Sequence, residues 1–131
     1  MDPTTTLPPI ARPDLINEID HQVQQTVAGG ARLITGGKKL GDVGQFYAGT
    51  VLADVTPDMV SYQQEIFGPV ASIIKSHSIE ESIALANNSV YGLSAVIYGD
   101  DIEQCKQVAT RLEGGMIFIN QPASSKASLP F

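Results

Sequence analysis

Apolar residues recur at every fourth position in the first part of the chain, and this spacing predicts an amphipathic helix. The stripe consists of Leu15, Ile19, Val23 and Val27. Proline suits the first position of a helix and paired glycines end one, so the helix is predicted to run from Pro13 to Ala28, before Gly29-Gly30. Residues 1–11 are polar and rich in proline, which predicts an extended N-terminal arm.

Short apolar runs separated by turn residues predict the elements after this first helix. The predicted strands are Arg32–Thr35, Tyr47–Val55, Val70–Ile74, Leu93–Tyr98 and Met116–Ile119. The predicted helices run from Ile79, after a capping box at Ser78–Glu81, to Asn87 or Asn88, and from a cap at Asp100 or Asp101 to about Glu113. Residues 38–45 are predicted to form a glycine-rich loop.

The order of elements from the third strand onward is strand, helix, strand, helix, strand. Such alternation favours right-handed crossovers between parallel strands, with helices on the faces of the sheet. We therefore predict an α/β fold with three layers, α/β/α, around a largely parallel sheet. Residues Leu93–Tyr98 are almost wholly apolar, so both faces of that strand are expected to be covered.

Composition and charge exclude several classes of partner. The chain has 131 residues, of which 43% are hydrophobic and 17% charged, as in a globular domain. Its net charge is −6 and its basic residues are scattered, which argues against a nucleic-acid partner. No apolar run reaches the length of a membrane span, so no membrane partner is expected. The single cysteine, Cys105, allows no intrachain disulfide and is compatible with the reducing cytoplasm.

The hexapeptide Glu65–Val70 is the first candidate for chemistry. Gly68 lets the backbone bend and Pro69 stiffens that bend, so Glu65 and Phe67 would stand on a rigid corner before a strand. An acceptor beside a flat apolar face suits a ligand site. The hexapeptide taken alone favours an ordinary strand entry with a surface Glu and a core Phe, because turns of this kind are common.

Other reactive residues have structural explanations. Cys105 falls in the middle of a predicted helix on its apolar stripe, where cysteine behaves as a small hydrophobe rather than a nucleophile. His21 and His77 have no partners at ligand spacing, so no metal site is predicted. The glycine-rich stretch matches no phosphate-binding motif.

With eight further pieces in the same order along the chain, the hexapeptide resembles the aldehyde dehydrogenase superfamily. The pieces are Gly36–Gly37, Phe46–Tyr47, Thr50–Leu52, Thr56–Met59, Ala84–Asn88, Tyr91–Ala95, Gly115–Asn120 and Leu129–Phe131. The resemblance implies that Glu65 accepts hydrogen bonds from the nicotinamide-side ribose of NAD or NADP, and that Phe67 packs beside that ribose. Gln64 stands where the family often has an acidic residue.

The loop Gln121–Ser128 is the second candidate, because in the family this segment lines the aldehyde entrance. Ser124 and Ser125 match the place where succinate-semialdehyde dehydrogenases keep a serine for the distal carboxylate of the substrate. Residues Ile10–Leu15 also resemble the bacterial branch of those enzymes, and Asn120 is expected to hold the backbone of the loop. A flexible polar loop explains the serines equally well.

The resemblance implies an enzyme that oxidises an aldehyde, with succinic semialdehyde the best candidate, to its acid. Residues 12–131 would be part of its catalytic domain, supplying the ribose clamp and the substrate-entrance loop. The cofactor domain, the cysteine nucleophile and the extreme C-terminus would lie elsewhere in a homo-oligomeric parent enzyme, so the chain alone is expected to be inactive. The alternative is a non-catalytic binding or assembly module that kept the fold.

Overall fold

The computed structural model describes residues 5–41 and 44–125, which form helices and short strands in two compact units, Met1–Lys75 and Ser76–Phe131. The helices are α1 (Pro13–Ala28), α2 (Val60–Gln63), α3 (Ile79–Asn87) and α4 (Ile102–Ala109). The strands are β1 (Arg32–Thr35), β2 (Lys39–Leu40), β3 (Phe46–Tyr47), β4 (Thr50–Ala53), β5 (Val70–Ser72), β6 (Ser94–Ile97) and β7 (Met116–Ile119). The predicted α/β class is confirmed.

The first unit is built on a three-stranded sheet in the order β1-β4-β5. Strands β4 and β5 are parallel, with Thr50 opposite Val70, whereas β1 runs antiparallel to β4, with Leu33 opposite Leu52. A separate antiparallel pair joins β2 to β3. The buried core contains Ile16, Ile19, Val23, Ala31, Tyr47, Leu52, Val55 and Met59. Two parallel strands are thus bordered by β1, which has the predicted bounds but an antiparallel direction that the sequence pattern did not predict.

Helix α1 has the predicted bounds, but its buried face is wider than the predicted stripe. Ile16, Gln22 and Thr26 are buried beside Ile19 and Val23. Leu15 and Val27 are only half-buried. A helix that faces a core covers more than one row of side chains, so positions three and four apart both contribute. The two buried polar residues of this face contact the segment that leads to the hexapeptide.

The second predicted strand is interrupted in the structure. The chain leaves β3 after Tyr47 and begins β4 at Thr50, whose hydroxyl donates to the carbonyl of Ala48 at 2.7 Å. Asp54 adopts a left-handed φ of 59° directly after β4, which ends the strand before Val55. Short-range turns therefore divide a run of residues whose β propensity alone is continuous.

The second unit contains the β6-α4-β7 crossover that the alternating pattern predicted. Strands β6 and β7 are parallel, with Ser94 opposite Met116 and Ile97 opposite Ile119. The side chains of Ser78 and Asp101 cap α3 and α4, accepting from Glu81 N and Gln104 N, each at 3.0 Å. Cys105 of α4 is buried, as predicted.

Two expectations for this unit are wrong. The faces of the strand around β6 are not both covered, because 59% of Leu93 and 70% of Tyr98 are exposed. Helix α4 ends at Ala109 rather than near Glu113, because the side chain of Asn87 takes over the next backbone groups. Its amide nitrogen donates to the Arg111 carbonyl at 2.8 Å, and its oxygen accepts from Glu113 N at 3.0 Å. Of the helices in the described ranges, none is long and apolar enough to span a membrane.

Candidate functional site

The hexapeptide Glu65–Val70 forms a tight corner between α2 and β5. Gly68 N donates to the Ile66 carbonyl and Val70 N to the Gly68 carbonyl, each at 2.8 Å, so two three-residue turns follow one another. The Pro69 carbonyl accepts from Thr50 N at 2.8 Å, which attaches the corner to the start of β4. The corner is therefore fixed by backbone bonds before any side chain is considered.

Gly68 lies directly against helix α1. A Cβ atom at this position would lie 2.6 Å from Cδ1 and 2.9 Å from Cγ1 of Ile19, closer than real side chains approach one another. Ile19 is itself only 1% exposed and belongs to the buried core cluster. The glycine is thus required by close packing, in addition to the bend.

Side chains of the hexapeptide alternate between the core and solvent. Ile66 is half-buried and packs against the core cluster, whereas Glu65 and Phe67 on either side of it are exposed. Phe67 is 68% exposed, so it is not the core residue of an ordinary strand entry. No side chain among residues 5–41 and 44–125 forms a hydrogen bond or ion pair with the Glu65 carboxylate. The corner presents an exposed acceptor and an exposed aromatic ring together.

A cleft of about 370 Å³ lies beside Phe67. Its lining is mainly apolar and comes from the arm residues 7–11, Leu15 and residues 67–69. The arm is held there by a backbone hydrogen bond from Ile10 N to the Gln45 carbonyl at 2.6 Å. A flat ring inserted against Phe67 would find apolar surface on the arm side.

Helix α1 is anchored to its surroundings by polar contacts. The hydroxyl of Tyr47 donates to the Asp20 carboxylate at 3.1 Å, and the Lys39 ammonium donates to Asn17 at 2.6 Å. Burial raises the pKa of the Tyr47 phenol, and its hydrogen bond to Asp20 raises that pKa further. The phenol is therefore a neutral donor that fixes α1 against β3.

Sequence reasoning missed Gln22, which reaches the hexapeptide from α1. Its side-chain nitrogen donates to the side-chain oxygen of Gln64 at 3.1 Å and to the backbone carbonyl of Glu65 at 3.4 Å. The available signal was its position, three residues after Ile19 and next to Val23. A polar residue at such a position on the apolar face of a helix needs a buried partner.

The second unit presents the other pair of candidate residues, Ser124 and Ser125. Both are exposed in the irregular segment after β7. Asn120 holds the start of this segment, since its amide donates to the Gly99 carbonyl at 2.8 Å and accepts from Gly99 N at 2.9 Å. Its left-handed φ of 52° turns the chain out of the strand. Residues 126–128 of the predicted loop and Pro130-Phe131 lie outside the described residues.

Glu65 and Phe67 thus stand together on the first unit, and Ser124 and Ser125 stand together on the second. No cluster of three or more metal-ligating His, Cys, Asp or Glu side chains occurs in the described part of the chain. The first pair offers binding groups for a polar hydroxylated ligand with a flat ring, and the second offers hydroxyls.

Comparisons with known proteins agree on one family. The model of the aldehyde dehydrogenase family matches residues 1–131. The chain is 47% identical over 130 residues to the NAD(P)+ succinate semialdehyde dehydrogenase Sad of Escherichia coli, covering 99% of this chain and 28% of that protein. It is 42% identical to the NADP+ succinate-semialdehyde dehydrogenase of Deinococcus radiodurans, covering 99% and 27%.

A solved structure gives the same answer. The chain superimposes on the succinic semialdehyde dehydrogenase of Streptococcus pyogenes, solved in complex with NADP+, with a TM-score of 0.94 and 41% identity. The match covers all of this chain and 29% of that one. The chain therefore spans less than a third of the length of these relatives.

Proposed function

The chain belongs to the aldehyde dehydrogenase family, and we propose that it forms part of an enzyme that oxidises an aldehyde to a carboxylic acid with NAD or NADP. The observation that carries this proposal is the corner of the hexapeptide. It presents an exposed carboxylate, Glu65, beside a 68% exposed aromatic ring, Phe67. The resemblance of the hexapeptide to the signature of the family supports a role for both side chains in holding the cofactor ribose.

The residues at the corner fit the nicotinamide half of such a cofactor. A carboxylate accepts hydrogen bonds from two neighbouring hydroxyls at once, as the ribose of the cofactor requires, and charge-assisted bonds of this kind are strong. Phe67 and the apolar cleft beside it suit the flat nicotinamide ring. The bound cofactor would supply the acceptor for the hydride of the aldehyde.

This chain contributes positioning rather than the nucleophile. Its one cysteine, Cys105, is buried in α4 at 5% exposure, where a thiol cannot reach a substrate. A thiolate that attacks the aldehyde would therefore come from another part of the enzyme. Glu65 and Phe67 would hold the nicotinamide at a fixed place relative to that thiolate, and correct placement is worth several orders of magnitude in rate.

Succinic semialdehyde is the proposed substrate. The relatives of 42% and 47% identity carry this substrate in their names. Ser124 and Ser125 are exposed on the segment that Asn120 anchors, which leaves their side chains accessible to a carboxylate from solvent. A serine hydroxyl alone does not offset the desolvation of a carboxylate, so at least one arginine is expected from the rest of the enzyme. The whole enzyme is expected to be a cytoplasmic homo-oligomer.

The test is Glu65→Gln in a full-length enzyme that carries this sequence. Glutamine keeps the shape and removes the charge, so about 1.5–3 kcal/mol of binding to the ribose is lost, a tenfold to hundredfold effect. The expected result is a higher KM for the cofactor, a lower kcat, or both. Glu18→Gln is the matched control, because it makes the same change at another exposed carboxylate of the same unit, on α1 rather than in the hexapeptide. Equal kinetics for the two variants would contradict the proposal.

A non-catalytic module is the second candidate, and the burial of Cys105 favours it for the 131-residue chain by itself. We expect the isolated chain to reduce neither cofactor in the presence of succinic semialdehyde. The measurement is the absorbance of the reduced nicotinamide against a buffer blank. Reduction that a thiol-blocking reagent abolishes would show that Cys105 is reactive and would overturn this expectation.

A further inference from the structure

Two buried polar side chains of α1 hold the short helix that precedes Glu65. Thr26 is fully buried, and its hydroxyl accepts a hydrogen bond from Ser61 N at 3.0 Å, at the first turn of α2. Gln22, one helical turn earlier and 4% exposed, bonds to Gln64 and to the Glu65 carbonyl, at the end of α2. One face of α1 therefore contacts both ends of α2 through side-chain hydrogen bonds.

The orientation of the Gln22 amide follows from its partners. A backbone carbonyl only accepts, so the nitrogen of Gln22 must point toward the Glu65 carbonyl, and the same NH₂ group gives its second proton to Gln64. This bond fixes the peptide plane that follows Glu65. Ile66 is anchored in the core and Gly68 against Ile19, so the backbone of the hexapeptide is held along its length.

We propose that Gln22 is a positioning residue, which sets the direction of the Glu65 carboxylate by holding the Glu65 carbonyl and the Gln64 side chain. This inference rests on the proposed role of Glu65 as the ribose clamp. Without the Gln22 bonds, the end of α2 keeps its backbone bond from Gln64 N to the Val60 carbonyl at 2.9 Å. That bond does not restrain the peptide plane between Glu65 and Ile66. The Glu65 carboxylate would therefore sample several directions.

The test is Gln22→Met in a full-length enzyme that carries this sequence. Methionine keeps the length and volume of the side chain and removes both donors. We expect the KM for the cofactor to rise about threefold to tenfold, as for the loss of a neutral hydrogen bond, and the KM for the aldehyde to stay unchanged. Gln24→Met is the matched control, because Gln24 on the same helix donates to a different carbonyl, that of Gly37, at 3.1 Å.

A double-mutant cycle separates positioning from general destabilisation. If Gln22 acts through Glu65, the effect of Gln22→Met on cofactor KM disappears when Glu65→Gln is already present. Additive effects, or equal effects of Gln22→Met and Gln24→Met, would overturn the inference while leaving the role of Glu65 intact. No effect of Glu65→Gln alone would instead refute the proposed function.

A second pair of variants covers the case in which Gln22→Met does not fold. Gln64 is exposed, so Gln64→Met removes one acceptor of the Gln22 amide at a position outside the buried core. Gln64→Glu keeps an acceptor at the same place. We expect Gln64→Met to raise the cofactor KM and Gln64→Glu to retain the wild-type value. Wild-type KM in both variants would overturn the role of the Gln22–Gln64 bond.

Discussion

Replacing Gly68 by alanine tests the packing that places the hexapeptide on α1. The new Cβ would lie 2.6 Å from Cδ1, 2.9 Å from Cγ1 and 3.2 Å from Cγ2 of Ile19. Because Ile19 is 1% exposed, it cannot rotate into solvent, and the backbone of the corner must shift instead. Overpacking of this kind lowers the free energy of unfolding by about 1–3 kcal/mol.

Ile19→Val supplies the partner variant for Gly68→Ala. Alone, it removes Cδ1 and lowers stability by about 0.5–1.5 kcal/mol through the space it leaves. In the Gly68→Ala background it removes the shortest contact, although those to the remaining methyl positions at 2.9 and 3.2 Å persist. The double variant is therefore expected to be more stable than the sum of the single losses predicts, by about 1 kcal/mol.

The assay is urea denaturation of the chain, followed by far-ultraviolet circular dichroism, since the sequence contains no tryptophan. Gly29→Ala is the control, because its Cβ would make ordinary contacts of 3.4 Å or more at a φ of −73° in the helical region. That variant is expected to keep or slightly raise stability. If Gly68→Ala is as stable as Gly29→Ala, or if the double variant is strictly additive, the close contact with Ile19 does not exist as described.

Three further outcomes are expected. Asn120→Asp loses the donor to the Gly99 carbonyl and should lower stability by about 1 kcal/mol, read from the urea midpoint; an unchanged midpoint would show that this bond contributes nothing. Tyr47→Phe should lower stability by a similar amount. The raised pKa of Tyr47 makes its contribution fully present below pH 10.0, its ordinary value. That contribution is lost as the pH rises through the higher folded-state pKa. If the stability of Tyr47→Phe falls at alkaline pH as much as that of the wild type, the fall does not come from Tyr47. In the whole enzyme, Ser125→Ala should weaken the binding of succinic semialdehyde by about 1–3 kcal/mol and leave the binding of an uncharged aldehyde of similar length unchanged. Equal losses for the two aldehydes would show that the serine only shapes the loop.

Local sequence signals predicted the helices whose ends are marked by adjacent capping or helix-stopping residues. Pro13 and Gly29-Gly30 gave the bounds of α1 because a helix start and stop depend on adjacent residues. Ser78 and Asp101 gave the starts of α3 and α4 for the same reason. The end of α4 was mispredicted because Asn87, 24 residues before Arg111, supplies the competing hydrogen bonds. Bonds between distant parts of the chain leave no mark in a propensity pattern.

In the candidate site, too, the residues of a local motif were predicted and a residue with distant partners was not. Resemblance proposed Glu65 and Phe67 as candidates, and the structure adds the exposure of Phe67, which the apolar character of a phenylalanine would not suggest. Gln22 was overlooked because a pattern of apolar positions treats a glutamine as part of the solvent face. Its partner residues follow 42 and 43 positions later, and no spacing rule links residues so far apart.

The same separation has a consequence for the kinetics of folding. The contacts that hold the hexapeptide require closure of a loop of more than forty residues between α1 and the corner, whereas α1 itself forms from neighbours. Contacts of this kind are expected to form after the rate-limiting step, so substitutions at Gly68 or Gln22 should speed unfolding and leave the folding rate nearly unchanged. The corner that presents Glu65 would then be assembled late in folding and released early in unfolding.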